Sequence, residues 1–307
     1  MKAVRFHEYG PANVLTVEDV PRPAPGQGEV LVRVSAAAVN PIDWKFRAGY
    51  LKEMVPLELP HTPGVDLAGT VEEVGEGVSE LASGDEVFGR GSGTYAEHAL
   101  AQPAMLAPKP ASLSFDEAVT LGLGGVTAWS ALFTAAGLVA GQRLLVHGGA
   151  GGVGSLAVQL GRWKGAHVTA TTSTANLDFV RSLGADEVVD YTAGRFEDAA
   201  SGMDAVLDTV GGEVTDRSWP VIKPGGILVV IASMPDPETA KARGVRTAGA
   251  QPPDEQAPIL RQLAGLVESG DLKPQIGRTF PLTGAADAHA ASETGHGRGR
   301  IVLQVAG

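Results

Sequence analysis

The chain has 307 residues, 44% of them hydrophobic and 19% charged, with 35 acidic against 24 basic side chains and a formal net charge of -11. This composition suits a globular protein with room for two domains, and the charge has the wrong sign for a phosphate backbone or an anionic membrane surface. Cysteine is absent, which excludes disulfides, thiolate metal ligands and a thiol nucleophile.

Residues 1–6 alternate as a short strand and lack the apolar stretch of a signal peptide, and no apolar run reaches the ~18 residues of a membrane span. The expectation is a cytoplasmic protein with neither nucleic acid nor membrane as a partner. Over the first ~110 residues, short strands are separated by Gly and Pro. Residues 29–39 alternate, residues 65–74 follow the turn Pro63-Gly64, and residues 86–88 follow Gly84-Asp85. This reads as an all-β module. From Arg143 onward strands alternate with helical stretches, the pattern of a parallel, doubly wound sheet, which puts a domain boundary near residues 124–127.

The apolar strand Leu144-Leu145-Val146 runs into a glycine loop and then a helix with Val153, Leu156, Ala157 and Leu160 on one face, ending near Gly165. Residues 167–172 form the next strand, a helix carrying Leu177 and Val180 stops at Gly184, and residues 187–190 form a third strand. Together they make the first half of a mononucleotide-binding fold. Residues 205–207 and 227–231 supply later strands and residues 259–267 a helix. Pro274 and a strand at 301–303 leave this texture, so the tail is expected to fold back onto the N-terminal module.

Gly148, Gly151 and Gly154 form a G-x-x-G-x-x-G series between a strand and a helix, where backbone N–H groups and the helix dipole can hold a pyrophosphate. Small residues at Ala150 and Gly152 let the loop approach the phosphates, Val153 leads into the helix, and Gly154 lets the helix pack on the strand. NAD-specific sites place Asp or Glu at the end of the second strand, roughly 20 residues further on. Here that position reads Thr171-Thr172-Ser173. With no carboxylate to repel a 2′-phosphate and several hydroxyls to meet it, NADPH is favoured over NADH as the cofactor. Asn176 stands where a basic partner would be expected, and Arg195, Arg298 and Arg300 are the candidates to supply that charge from elsewhere.

Several further segments follow one another in a familiar order: residues 36–43 (AAAVNPID), 63–69 (PGVDLAG), 84–87 (GDEV), 93–97 (GTYAE), the glycine loop, 183–186 (LGAD) and 295–303 (GHGRGRIVL). Through them nearly the whole chain resembles the zinc-free medium-chain dehydrogenases/reductases, in particular the quinone oxidoreductases and enone reductases. The resemblance implies an α/β chain with a GroES-like β-barrel domain (1–124 and 271–307), a Rossmann doubly wound parallel sheet domain (125–270), and a substrate cleft between them. Zinc alcohol dehydrogenases of the superfamily carry Cys where this chain has Asn40 and Gly-His-Glu where it has Gly64-Val65-Asp66, and their Cys-rich structural lobe has no counterpart after Tyr95. No metal is therefore expected, and His61 reads as a loop residue.

Hydride transfer to an already electron-poor acceptor needs no Lewis acid. The resemblance thus implies an NADPH-dependent reductase of a quinone or an α,β-unsaturated carbonyl. The alternatives are a 2-enoyl thioester or alkenal reductase, and a noncatalytic NADPH-binding sensor. By resemblance, Asn40 donates its amide to the acceptor oxygen, Tyr50 contacts the substrate or gives a proton that solvent can also give, and Thr127 lies beside the cofactor. Tyr191 resembles the family's adenine-side contact. Superfamily members often pair through an edge strand of the Rossmann sheet, for which residues 244–250 are the candidate, so a homodimer is expected.

Overall fold

The computed structural model describes residues 1–232 and 235–305. Its strands in chain order are β1 (Lys2–Arg5), β2 (Thr16–Asp19), β3 (Val30–Val39), β4 (Asp66–Val74), β5 (Glu86–Arg90), β6 (His98–Ala101), β7 (Leu106–Pro108), β8 (Arg143–His147), β9 (His167–Thr172), β10 (Glu187–Asp190), β11 (Met203–Asp208), β12 (Ile222–Val230), β13 (Arg246–Gly249), β14 (Ile276–Pro281) and β15 (Arg300–Gln304). They fall into two compact units, one made of Met1–Leu123, Asp254–Ser269 and Pro274–Gly307, the other of Gly124–Pro253 and Gly270–Lys273.

The first unit is built on a seven-stranded sheet of order β14-β15-β3-β4-β5-β7, with β6 also paired to β3. Two apolar clusters share β3: Val30, Val32 and Val34 pack with Leu67, Val71, Val87 and Leu106, while Ala37 and Val39 pack with Val4, Tyr95, Leu282, Ala288 and Leu303. The alternation of the strand gives way at residues 36–39, all of them buried, because the helices Phe115–Val119 and Ala285–Glu293 both lie against β3. The tail does return to the N-terminal module: β15 runs antiparallel to β3, with Ile301 opposite Val39 and Leu303 opposite Ala37.

The helix Ala257–Glu268 corrects the expected boundary, which had put residues 125–270 together. Its buried face of Ala257, Leu260, Leu263 and Leu266 lies on β7 and the turn before it, and Gln256 N–H donates to the Ala104 carbonyl at 2.9 Å. It therefore belongs to the first unit. Its periodicity shows that it has an apolar face but not which sheet receives that face. Residues 270–273 return to the second unit, where the Gln159 amide exchanges hydrogen bonds with the Lys273 backbone at 2.9 and 3.1 Å.

The second unit is a six-stranded parallel sheet of order β10-β9-β8-β11-β12-β13. This is the doubly wound order, which reverses between β8 and β11, and in such sheets ligands bind outside the carboxyl ends of the strands at the reversal. The apolar strands make its core, with Leu145, Val206, Leu228 and Val230 packed against Phe196, Trp219 and Ala240.

The tail is fastened in the first unit by charge as well as by pairing. The Arg300 guanidinium donates to Asp66 Oδ2 at 2.7 Å and to Asn40 Oδ1 at 2.8 Å, with Asp66 fully buried and Arg300 5% exposed. Removing one partner of a buried pair strands the other charge away from water. Arg300→Met is expected to lower unfolding stability by about 3–5 kcal/mol in urea denaturation, and Asp66→Leu/Arg300→Met to recover most of that loss.

Candidate functional site

The glycine loop stands at the carboxyl end of β8, at the reversal of strand order. Gly148 adopts φ 71°, a left-handed conformation that favours glycine. Its N–H donates to Thr171 Oγ1 at 3.3 Å, and the Gly149 N–H donates to the Thr171 carbonyl at 2.9 Å, which ties the loop to the end of β9. A Cβ on Gly154 would lie 2.1 Å from the Gly148 carbonyl oxygen, so the helix Gly154–Trp163 can start there only because residue 154 has no side chain. The Gly151 N–H is used by the Gly148 carbonyl and that of Ser155 by the Gly151 carbonyl. Gly152, Val153 and Gly154 thus carry the N–H groups at the mouth of the helix, and its first turn has no acidic residue. A pyrophosphate fits this cradle. Ala150 in the same loop is 4% exposed.

Behind the loop lies a buried polar chain. His147 Nε2 is 3.0 Å from Ser218 Oγ, whose own proton goes to the Val214 carbonyl at 2.7 Å. Ser218 therefore accepts, the imidazole carries its proton on Nε2, and Nδ1 accepts from Thr171 Oγ1 at 3.2 Å. Burial pushes His147 down to about 4, so the ring stays neutral and able to accept. Beside it, at the end of β11, Asp208 Oδ1 accepts from the N–H groups of Val210 and Gly211 at 2.8 and 2.9 Å, and Thr209 Oγ1 donates to the His147 carbonyl at 2.8 Å. Both loops flanking the reversal are thus held by buried side chains.

The hydroxyls expected at the end of β9 are present, with further hydroxyls beside them at the end of β10. Thr172 is 3% exposed and its carbonyl accepts from the Tyr191 N–H at 3.1 Å. Ser173 Oγ accepts from Asn176 Nδ2 at 3.3 Å. Thr174 Oγ1 donates to Asp190 Oδ2 at 2.6 Å, and Thr192 donates to Asp190 Oδ1 through its N–H at 2.9 Å and its hydroxyl at 2.7 Å. Tyr191 is 48% exposed. Of the proposed charge donors, Arg195 pairs with Glu197 at 3.6 Å, Arg300 is buried against Asp66, and Arg298 is exposed and belongs to the first unit rather than the one holding the loop.

In the first unit, Asn40 ends β3 and precedes the helix Pro41–Arg47, and its N–H donates to Asp43 Oδ2 at 2.8 Å. Asn40 followed by Pro41 and Asp43 is a helix-start pattern legible in the sequence. Tyr95 Oη donates to the same Asp43 oxygen at 2.9 Å and accepts from His289 Nε2 at 3.3 Å. Burial pushes Asp43 up to about 7 and His289 down to about 3. The expectation that Asn40 offers its amide to an acceptor meets a correction. Nδ2 donates to Asp66 Oδ2 at 3.0 Å and to the Ala38 carbonyl at 3.4 Å, while Oδ1 takes Arg300, so the amide is engaged inside the protein. Asp66 Oδ1 accepts from the Leu123 N–H at 2.8 Å.

Tyr50 is 71% exposed and lies edge-on to Trp44 at 5.8 Å. Thr127 is buried on the helix Leu123–Trp129 in the other unit. His61, in an isolated bridge to Phe6, is a loop residue that burial pushes below its ordinary value. Among the described residues no three His, Cys, Asp or Glu side chains converge as a metal site, and no helix is long and apolar enough to cross a membrane. No local pattern in the sequence marks the parts played by His147, Tyr95, His289 and Asp190. Only the adjacency of His147 to Gly148 pointed toward one of them.

Residues 26–111 match the family described as alcohol dehydrogenase GroES-like domain, and residues 183–303 the one described as zinc-binding dehydrogenase. The chain is 38% identical over 318 residues to the 2-methylene-furan-3-one reductase of Solanum lycopersicum, spanning 99% of this chain and 79% of that protein. It is 37% identical to the chloroplastic NADPH-dependent alkenal/one oxidoreductase of Arabidopsis thaliana, with the same coverage. Among solved structures, the quinone oxidoreductase from Coxiella burnetii superposes with a TM-score of 0.90 at 36% identity, covering 100% of this chain and 99% of that one. An NAD-dependent alcohol dehydrogenase (32% identity, 100% of both chains) and a mycobacterial protein complexed with NADPH (31%, 99% of this chain and 100% of that one) superpose with the same TM-score. The chain belongs to the medium-chain dehydrogenase/reductase superfamily and, within it, to the quinone-oxidoreductase-like oxidoreductases.

Two outcomes are expected from the buried chain. Thr171→Val leaves the Gly148 N–H and His147 Nδ1 without their partner, which should destabilise the protein by about 1–3 kcal/mol. It should also weaken dinucleotide binding about tenfold in a fluorescence titration, with Thr171→Ser restoring both. The folded pKa of His147 lies below the ordinary 6.5. The stability it contributes is therefore full above pH 6.5 and is lost as the pH falls from 6.5 toward 4. The urea midpoint should fall across that window, and fall less in His147→Asn.

Proposed function

We propose that the chain reduces a quinone or an α,β-unsaturated carbonyl with hydride from a reduced nicotinamide dinucleotide, without a metal. The observation that carries this is the glycine cradle at the order reversal of a doubly wound sheet, where Gly154 packs on the Gly148 carbonyl. The names of the relatives, among them a methylene-furanone reductase, an alkenal/one oxidoreductase and quinone oxidoreductases, support the acceptor class. NADPH is admitted because no carboxylate ends β9, and one relative is named for NADPH and one neighbour holds it.

The N–H groups of Gly152, Val153 and Gly154 take the pyrophosphate in this reading, with Gly148, Ala150 and Gly151 shaping the loop. Thr172 and Ser173 line the adenosine ribose, the exposed ring of Tyr191 offers a face to adenine, and Thr127 serves the nicotinamide side. The bound dinucleotide supplies two electrons as hydride, and the protein supplies alignment and a route for the balancing proton. The metal-free step is supported by the donor set. A chain without Cys offers no thiolate, and Asn40 and Asp66 both bind the Arg300 guanidinium. Asn40 then acts as a positioning residue at the end of β3. Tyr50 contacts the acceptor, and its exposure favours solvent as the proton source. The edge position of β13 supports pairing of two copies into a homodimer.

The test is dinucleotide oxidation with a panel of quinones, alkenals, cyclic enones and 2-enoyl thioesters, with and without a chelator. Turnover of quinones or enones that the chelator leaves unchanged is expected. Dinucleotide binding without turnover on any acceptor would support a sensor instead. Tyr50→Phe should raise KM and keep kcat within about tenfold, whereas a loss of ~100-fold or more would assign the proton to Tyr50.

A further inference from the structure

The choice between the two nicotinamide dinucleotides is set at the adenosine ribose, and there a carboxylate is present that the sequence pattern did not place. In the parallel pair β9 and β10, Asp190 stands in register with Thr172, the last residue of β9. Neighbouring strands lie roughly 5 Å apart. Asp190 therefore brings an acid, from one strand over, to the level of the sheet where an NAD-specific site carries its own.

Its surroundings hold it ionised. The hydroxyls of Thr174 and Thr192 and the Thr192 N–H all donate to it, and they hold its carboxyl below the usual range. Asp190 stands partly exposed at the end of its strand, where the carboxylate can also accept from the 2′-hydroxyl of a ribose. The bonds already made take the Thr174 and Thr192 protons that a 2′-phosphate would need, and the oxygens of the two hydroxyls lie 2.9 Å apart. No Lys or Arg occurs in residues 173–176 or 191–194, the turns that leave the two strands. The cations on the elements that follow are paired, Arg181 with Asp178 at 2.8 Å and Arg195 with Glu197 at 3.6 Å.

Resting on the reading of residues 148–154 as a dinucleotide loop, we propose that Asp190 is the specificity-determining residue of this site and that the chain takes NADH about as well as NADPH. A 2′-hydroxyl gains a charged acceptor there, and a 2′-phosphate meets a like charge with no cation on those turns to offset it.

Calorimetric titration of NADH, NADPH and the fragments 5′-AMP and 2′,5′-ADP tests this without any turnover. The wild-type dissociation constants for NADH and NADPH are expected within about tenfold of each other. Asp190→Asn should shift that ratio about tenfold toward NADPH, with a parallel shift between the two fragments, and Asp190→Ser should do the same if the asparagine disturbs the turn. Raised ionic strength should move the wild-type ratio toward NADPH by screening the Asp190 charge, and should move it less in Asp190→Asn. A shift below about threefold in both variants overturns the proposal. If both dinucleotides bind but the ratio does not move, only the role of Asp190 falls. If neither dinucleotide binds, the loop reading falls and this inference with it.

Discussion

Asp66 has no access to water, and the first unit is arranged to satisfy it. One oxygen takes the Arg300 guanidinium and the Asn40 amide, the other the Leu123 backbone N–H. A buried carboxylate without such partners would be strongly disfavoured. Meeting that demand brings together the end of β3, the start of β4 and the tail strand β15, 234 residues away along the chain. It also explains why Asn40 is held rather than offered. At the end of β3 and the start of β4 an amide and a carboxylate surround a guanidinium. Positive charge is thus supplied there by a side chain, the Arg300 guanidinium.

In the second unit the governing constraint is steric. The approach of residue 154 to the Gly148 carbonyl permits no Cβ, and this approach brings the start of a helix to the mouth of the sheet. The buried chain from Ser218 through His147 and Thr171 to the Gly148 N–H then fixes the loop from behind, with the neutral imidazole acting as both donor and acceptor. The protein's electrostatic preference at this crevice is set by what surrounds it. The helix mouth favours anions, whereas Asp190, at the end of a strand two places from β8, carries a negative charge.

Much of this was legible from local pattern. The glycine spacing, the strand before it and the amphipathic helix after it identify the loop because each obeys a short-range rule of turn, period or close approach. The β-rich start and the parallel sheet were legible for the same reason. The helix Ala257–Glu268 shows the limit: its apolar stripe is plain, but the stripe is indifferent to which sheet covers it, and it lies on β7. The hydroxyls at 171–173 show another. As residue types they suit a phosphate, yet Thr171 Oγ1 donates to His147 Nδ1 and accepts from the Gly148 N–H.

The sequence alone therefore determined the two-part architecture, the glycine loop between strand and helix and the lack of thiolate ligands, since these depend on residue identity and on spacings within one or two elements. Tertiary structure alone decided that Arg300 belongs to Asp66 and not to a phosphate, that the Asn40 amide is engaged, that the last long helix joins the first unit, and that Asp190 stands level with Thr172. Each of these is a pairing between distant segments. A hydrogen bond or ion pair forms according to which groups the fold brings within about 3 Å, and no local periodicity encodes that meeting.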